Sequence, residues 1–370
     1  MLYLAFRNLF QGWPRLIVSI GGVALAMTLI LALDAIVAGS ERQITAYIDH
    51  SGADVIVSQA GVRTLHMSAS AIPTRDLATI RAEPGVASVT SILYMTNMLV
   101  VNDQRSLAYI IGLPQGAEAG APWRMEAGAR SPGQGEAIID AAIARQAGVS
   151  IGGRVTILGQ PLTITGLASG TASITNSVAF ISFDDFARIR GGADTASFFL
   201  VKARSGVALP DLASRIQRDM PEVTAQTRAQ FAAQERQIVS DMTTDLVSIM
   251  DLIGFAIGLA VLALTVYTAT LSRRAEYGVL KALGARSVHL ARVALAQAYI
   301  SVALGFALGL ALTFALTMVA PRIASNIALE VRADELLKVG AISVFIATLS
   351  ALLPIGQIAR LDPTQVFKGR

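Results

Sequence analysis

The chain of 370 residues contains no cysteine. Disulfides, thiolate-bound zinc, iron–sulfur clusters and cysteine nucleophiles are therefore excluded, and any water-facing part must hold together by packing alone. Charge is scarce: Asp, Glu, Lys and Arg make up 15% of residues, against roughly 25% in soluble domains. None of the lysines (Lys202, Lys281, Lys338, Lys368) follows a glycine, so the Gly-Lys-Ser/Thr core of a phosphate-binding P-loop is missing and ATP hydrolysis by that route is excluded. The three histidines, His50, His66 and His289, are scattered without metal-site spacing and read as surface or loop residues. No Gly-x-Ser-x-Gly elbow or catalytic triad stands out, and a net charge of +4 is small, better suited to anchoring at a membrane than to nucleic acid.

The shortage of charge is uneven. Residues 16–33, 252–272, 293–320 and 339–359 carry none, in runs of 18, 21, 28 and 21 residues. About 20 apolar residues cross the ~30 Å hydrocarbon core as a helix. The first run exceeds the 7–15 residues usual for a signal-peptide core and reads as a retained anchor. The pattern predicts one span, a water-facing block over 41–240, then three spans.

Basic residues near span ends mark the cytoplasm. Arg7 and Arg15 precede the first run; Arg273, Arg274, Lys281, Arg286 and Arg292 lie between the second and third; Arg360, Lys368 and Arg370 follow the fourth. Segment 321–338 balances Arg322, Arg332 and Lys338 against Glu330, Asp334 and Glu335. The expectation is a multi-pass protein of the inner (cytoplasmic) membrane with both termini inside, and with 41–240 and 321–338 outside.

The outer block reads as mixed α and β. Strands are expected over 53–58, 86–101, 106–111, 197–203 and 223–225, with Asn102-Asp103 as a turn. Helices are expected over 74–82 and 211–220. Both begin near an Asp, at Asp76 and Asp211, and end at a Pro, at Pro84 and Pro221, which suggests two similar β-α-β halves. Segment 113–194 is glycine-rich: strands are expected over 154–158, 162–167 and 178–182, turns at Gly152-Gly153 and Gly159-Gln160, and helices over 135–147 and 184–190. It reads as a small β-rich subdomain at the tip. From 228 to 272 no Pro intervenes and no Gly breaks the approach to the span, so stalk and span are read as one helix.

Asp34 and Asp251 flank the first two runs. Acids at membrane depth are costly; they read either as interfacial residues or as a polar opening for a substrate head group or a latch between helices. Gly254 and Gly258, like Gly305 and Gly309, are spaced for close helix approach, either within the chain or between two copies. The loop 273–292 mixes charge with Tyr277, Val279, Leu280 and Leu283, an apolar set that a plain connector does not need. Such a helix lies along the membrane surface or docks on a cytoplasmic partner.

At this loop the chain resembles the permeases of the MacB/FtsX/LolC type, the four-span mechanotransmission class of ABC transporters. Arg274-Ala275-Glu276-Tyr277-Gly278-Val279-Leu280-Lys281-Ala282-Leu283-Gly284-Ala285 is similar to the family's R-x-E-I/Y-G-x-L-K-A-L-G-A loop. Leu4-Ala5-Phe6-Arg7-Asn8-Leu9 resembles its amphipathic entry, and Ala359-Arg360-Leu361-Asp362-Pro363-Thr364-Gln365-Val366-Phe367 resembles its A-x-x-D-P-x-x-x-L tail. The outer block looks nearer the DevC and haem-exporter permeases than FtsX.

The resemblance implies a membrane α-helical fold with four transmembrane helices, one plus three, and a large α+β extracytoplasmic domain inserted between the first and second. The expected order is an amphipathic N-terminus (1–15), first span (16–40), outer domain (41–240), second span (245–272), coupling loop (273–292), third span (293–320), outer loop (321–338), fourth span (339–359) and tail (360–370). Within the outer domain, 41–112 and 195–227 form a porter-like part, 113–194 the inserted subdomain and 228–244 the stalk. The resemblance further implies a second permease chain, a homodimer, and a separate cytoplasmic ABC ATPase that holds ATP and Mg, this chain binding no cofactor. A periplasmic adaptor is a further implied partner, and nucleic acid is not one. Arg273, Glu276, Tyr277, Gly278, Lys281, Ala282, Leu283, Gly284 and Ala285 would couple the chain to that ATPase. Substrates in view are a lipid, lipoprotein, drug-like compound or haem, the last with Tyr47, His50, Met242 and Met250 near the outer surface; the alternative is an FtsX-like regulator of a cell-wall hydrolase.

Overall fold

A computed structural model describes residues 13–66, 69–173, 177–283, 285–323 and 328–359. The entry segment at 4–9, Gly284 and the tail from Arg360 onward lie outside the described residues. The chain divides into a sheet unit, Gly39–Met242, and a helical unit drawn from Met1–Ala38, Thr243–Ile323 and Leu329–Arg370.

The sheet unit takes in the last turns of helix α1 (Trp13–His50) and then β1 (Val55–Gln59), β2 (Ile72–Pro73), α2 (Asp76–Ala82), β3 (Val86–Val101) and β4 (Gln104–Leu113). There follow β5 (Met125–Gly128), β6 (Glu136–Asp140), α3 (Ala141–Gln146), β7 (Arg154–Ile157), β8 (Gln160–Ala168), β9 (Ser177–Ser182) and α4 (Phe183–Arg190). It closes with β10 (Thr195–Ala196), β11 (Phe198–Ala203), α5 (Leu209–Asp219), β12 (Val223–Thr227) and the start of α6 (Arg228–Ser272).

The sheet runs β12-β1-β11-β3-β4-β9-β6-β8-β5, with β7 paired to β3 and β8. Its first four strands are antiparallel neighbours. β1-α2-β3 and β11-α5-β12 are therefore two β-α-β halves laid into each other, the split βαβ arrangement, and the order 12-1-11-3 follows from each half skipping one position for its twin. Both helices open with an acid in the first turn, Asp76 and Asp211, which suits the positive helix end. They share one core on this part of the sheet: Ile80 from α2, Leu212 and Ile216 from α5, against Val55, Val57, Phe199 and Val201.

The segment between the halves has its own core but not its own sheet. β9 pairs in parallel with β4, and β6 continues from β9, so the insert extends the same sheet sideways. The long β3 carries this: Leu93, Leu99 and Val101 pack with the insert's Ile139, Ile157, Ile164 and Phe186. The turn at Asn102-Asp103 has φ of 45° and 63°, the doubly left-handed pair of a two-residue hairpin. The next hairpin turns on Leu158-Gly159, φ 52° and 77°, one residue earlier than the glycine alone signals.

Residues 135–147 are not one helix. Glu136–Asp140 is a strand whose Ala137, Ile138 and Ile139 are wholly buried, and the helix begins only after Asp140, whose carboxylate accepts from Ala142 N at 2.7 Å. A short apolar run buried on both faces has no period to separate strand from helix; the sheet decided it. β5, β2 and β10 are also strands without a sequence signal, being two to four residues long.

In the helical unit, four helices are long and apolar enough to cross a membrane: Ile20–His50, Val247–Ser272, Ser287–Ala320 and Ala333–Gln357. α6 runs 45 residues without a break, about 67 Å at 1.5 Å per residue. After it come α7 (Arg274–Ala282), α8 (Ser287–Ile323), α9 (Ala333–Ser350) and α10 (Leu352–Ala359). The fourth apolar run is thus divided at Ala351, with Pro354 in the first turn of α10, where a missing N–H costs no helical bond.

Candidate functional site

Three places in the helical unit bear on function. The first is α7, nine residues between two membrane-length helices. Its Tyr277 is 3% exposed and packs on Leu290 and Ala294 of α8; Gly278 is buried beside it. On the opposite side Val279, Leu280 and Leu283 are 42%, 39% and 79% exposed. Glu276, Leu280 and Leu283 recur at helical spacing, so one outward stripe carries them. Arg273 Nη1 lies 3.5 Å from Glu276 Oε2, and the end of α7 is closed by Ala285 N donating to Leu280 O at 2.9 Å. Lys281 is half-buried and Ala282 exposed. Of the residues expected to couple, Tyr277 and Gly278 therefore face α8; the outward surface belongs to Glu276, Val279, Leu280, Ala282 and Leu283.

The second is a charge cluster. Asp34 of α1 and Asp251 of α6 meet at Lys338 of α9, a partner that the sequence counted only as one of six balanced loop charges. Lys338 Nζ lies 2.7 Å from Asp251 Oδ2, 3.4 Å from Glu335 Oε2 and 3.5 Å from Asp34 Oδ2. The last is an ionic contact too long for a hydrogen bond, and Asp34 Oδ2 has no hydrogen-bond donor among the described residues. Asp34 is 5% exposed. Charges withdrawn this far from water persist when paired; here one ammonium ties three helices. Glu335 and Lys338 stand three apart on α9, the one local signal available beforehand.

The third is the glycine seams, and both close on α1. A methyl at Gly254 would lie 2.6 Å from Ile30 Cγ1, and one at Gly258 3.4 Å from Ala26 Cβ. On α8, a methyl at Gly305 would lie 2.6 Å from Val23 Cγ1, and one at Gly309 2.9 Å from the Ala24 carbonyl. Thr28 Oγ1 donates across this seam to Gly309 O at 3.3 Å. The glycines serve packing within the chain.

Of the residues expected to serve haem, Tyr47, His50 and Met242 lie in the sheet unit. Tyr47 is buried against Phe180; His50 stacks on Trp123 at 5.1 Å, its Nδ1 2.9 Å from Ala46 O. Met242 is 68% exposed. Among the described residues no group of three or more His, Asp or Glu is placed to hold a metal. A buried carboxylate that the sequence did not single out lies here: Glu235 of α6, 0% exposed, accepts from Leu65 N at 2.7 Å and His66 N at 3.0 Å. Burial pushes its pKa up to about 7 against the pull of those two donors. His66 Nδ1 is 2.7 Å from the Tyr109 hydroxyl, and burial lowers its pKa.

Residues 16–219, more than half of the chain, match the family of MacB-like periplasmic core domains. Residues 248–363 match the FtsX-like permease C-terminal family. No curated protein is significantly similar to the chain. Among solved structures, the periplasmic region of MacB from Actinobacillus actinomycetemcomitans is similar at 14% identity over 50% of this chain and 94% of its own, with a TM-score of 0.37. The extracellular domain of the noncanonic ABC-type transporter YknZ from Gram-positive bacteria is similar at 14% identity over 47% of this chain and 98% of its own, with a TM-score of 0.36. The first match takes in the first membrane-length helix and the sheet unit as far as α5, and the second takes in the three later membrane-length helices: the chain belongs to the MacB/FtsX family of ABC transporter permeases and is a multi-pass membrane protein.

Proposed function

We propose that the chain is the permease subunit of an ATP-driven machine of the inner membrane that turns ATP hydrolysis inside into movement outside, exporting or extracting a hydrophobic substrate. The topology that serves this is one plus three, with both termini in the cytoplasm and the sheet unit outside. The nucleotide chemistry resides in an ATPase that this sequence does not contain; ATP and Mg act there. Two permease chains and two ATPases complete the assembly, with a periplasmic adaptor as a further partner.

The observation that carries this reading is α7. A nine-residue helix that turns Tyr277 onto α8 while presenting Val279, Leu280 and Leu283 outward has one side fixed to the membrane helices and one side free to dock. Apolar anchors on a short helix are the recognition mode of a helix in a groove. Tyr277 then transmits rather than contacts: what moves α7 moves α8. The lysine-centred cluster of Asp34, Asp251 and Lys338 serves as the latch between helices α1, α6 and α9. Regulation of an outer enzyme would use the same lever.

Leu283→Asp tests the docking. Burying an unpaired carboxylate at an interface costs several kcal/mol, so association with the co-expressed ATPase should fall by a factor of about 100 or more, while the thermal melt of the permease is unchanged because Leu283 is exposed. Intact association together with intact ATP-driven export would sink the assignment of α7.

A further inference from the structure

The outermost strand of the sheet, β12, is finished by glutamines. Thr224 and Gln226 face β1 in the ladder, opposite Ser58 and Ile56, which turns the N–H groups of Ala225 and Thr227 to the open side. Each is met by a side-chain oxygen: Ala225 N donates to Gln217 Oε1 of α5 at 3.4 Å, and Thr227 N to Gln230 Oε1 of α6 at 3.0 Å, the latter as half of the capping box of α6, since Gln230 N donates to Thr227 Oγ1 at 3.2 Å. The two amides are two residues apart, about 7 Å along a strand, the interval at which a neighbouring strand would offer its carbonyls. The carboxamides occupy those positions. The bond to Gln217 is long and correspondingly weak, and Gln217 is exposed, so it can leave.

Beside them is a groove of about 320 Å³ whose lining includes Arg63, Gln217, Thr224, Gln226, Gln230 and Gln234. Shielding an edge strand against chance pairing accounts for Gln217, and capping of α6 accounts for Gln230. Neither accounts for the groove, nor for Gln226, which is 7% exposed and keeps Oε1 enclosed without a donor among the described residues. A buried acceptor left unpaired costs about 1–3 kcal/mol, and a bound N–H would remove that cost. Arg63 is exposed and has no ion-pair partner among the described residues; no acid lines the groove.

We propose that this groove binds an extended, acidic segment of a partner protein, which displaces Gln217, pairs with β12 at Ala225 as an added strand, gives an N–H to Gln226 and sets a carboxylate against Arg63. Backbone pairing supplies affinity and the pockets supply selectivity, as in other strand additions. The inference is independent of what the permease exports.

The test uses the full chain in lipid nanodiscs with the peptide acetyl-Thr-Val-Thr-Val-Asp and its counterpart methylated at alternate backbone nitrogens. The unmodified peptide should bind and slow hydrogen exchange over 223–227, and methylation should weaken it by about tenfold or more. Gln217→Ala should strengthen binding several-fold, because the internal competitor is gone. Gln217→Glu should weaken it, since a carboxylate holds the Ala225 amide more firmly and repels the acidic probe. Arg63→Gln should weaken the Asp-ended peptide while leaving an amidated Thr-ended one unaffected. Unchanged thermal melts identify folded variants, and the two opposite directions at Gln217 cannot both arise from loss of fold. Binding indifferent to methylation, or absent exchange protection at 223–227, would overturn the proposal. So would dimerisation of the Gln217→Ala variant through this edge without peptide binding, which would make Gln217 a shield against a second copy.

Discussion

Glu235 shows how one residue ties the sheet unit together at a cost. Its carboxylate is enclosed, yet it is met by two backbone N–H groups and no cation among the described residues. Burial holds its proton in the folded state up to about pH 7, whereas the unfolded chain releases it near the ordinary value of 4.5. An acid whose folded pKa is raised gives a contribution that is full below the unfolded value and is lost as pH rises through the folded one. Stability should therefore fall between about pH 4.5 and 7, by up to roughly 3 kcal/mol if the whole shift is realised. Glu235→Gln keeps an oxygen for Leu65 N and His66 N without the charge. Its melting temperature, followed by tryptophan fluorescence, should change less between pH 5 and pH 8 than that of the parent chain; equal slopes would show that Glu235 does not titrate there. The glycines act at the same scale in the opposite way, by absence: at Gly309 an added carbon would lie 2.9 Å from a backbone carbonyl, while at Gly340 it would meet nothing within 4 Å.

At the scale of elements, the proposed transmission runs through α6. It begins directly after β12, carries Glu235 and Gln230 in its first turns, Asp251 further on, and ends one residue before α7. A continuous helix moves as a rod because every backbone bond along it must be strained before it bends. Proline inside a helix removes one such bond and clashes with the preceding turn, at about 3 kcal/mol or more. Asp245→Pro, at an exposed position with helix on both sides, should leave ATPase association intact, since α7 is untouched, and reduce the ATP-driven change on the outside by tenfold or more in rate, roughly the effect of 1.4 kcal/mol. Spin labels on the sheet unit read that change. A full response in this variant would mean that α6 need not be rigid.

For the whole molecule, the absence of cysteine makes topology directly measurable. Gln134 in the sheet unit and Arg286 between α7 and α8 are both exposed. Under the one-plus-three arrangement, Gln134→Cys reacts with a membrane-impermeant maleimide in spheroplasts and Arg286→Cys reacts only after lysis. The reverse pattern would invert the protein and remove α7 from the cytoplasm. Neither substitution alters a packed position, so expression should be unaffected.

Runs without charge, the basic bias between them, the two Asp-to-Pro helices and the loop at 273–292 were all legible in the chain, because each is a local property: hydrophobic length, charge beside a span, caps and breakers act over a turn or two. The unbroken α6 was legible for the same reason, since nothing in 228–272 stops a helix. What the sequence could not assign depended on partners distant along the chain. Residues 136–140 became a strand because β8 and β9 flank them. The insert joined the main sheet because β9 found β4. Lys338 became the centre of a cluster only when α1 and α6 brought Asp34 and Asp251 to it. Tyr277 turned inward because Leu290 and Ala294, the far side of a turn, offered it a surface. Local chemistry chose the elements and their order; burial, which no residue can achieve alone, chose which of their faces meet.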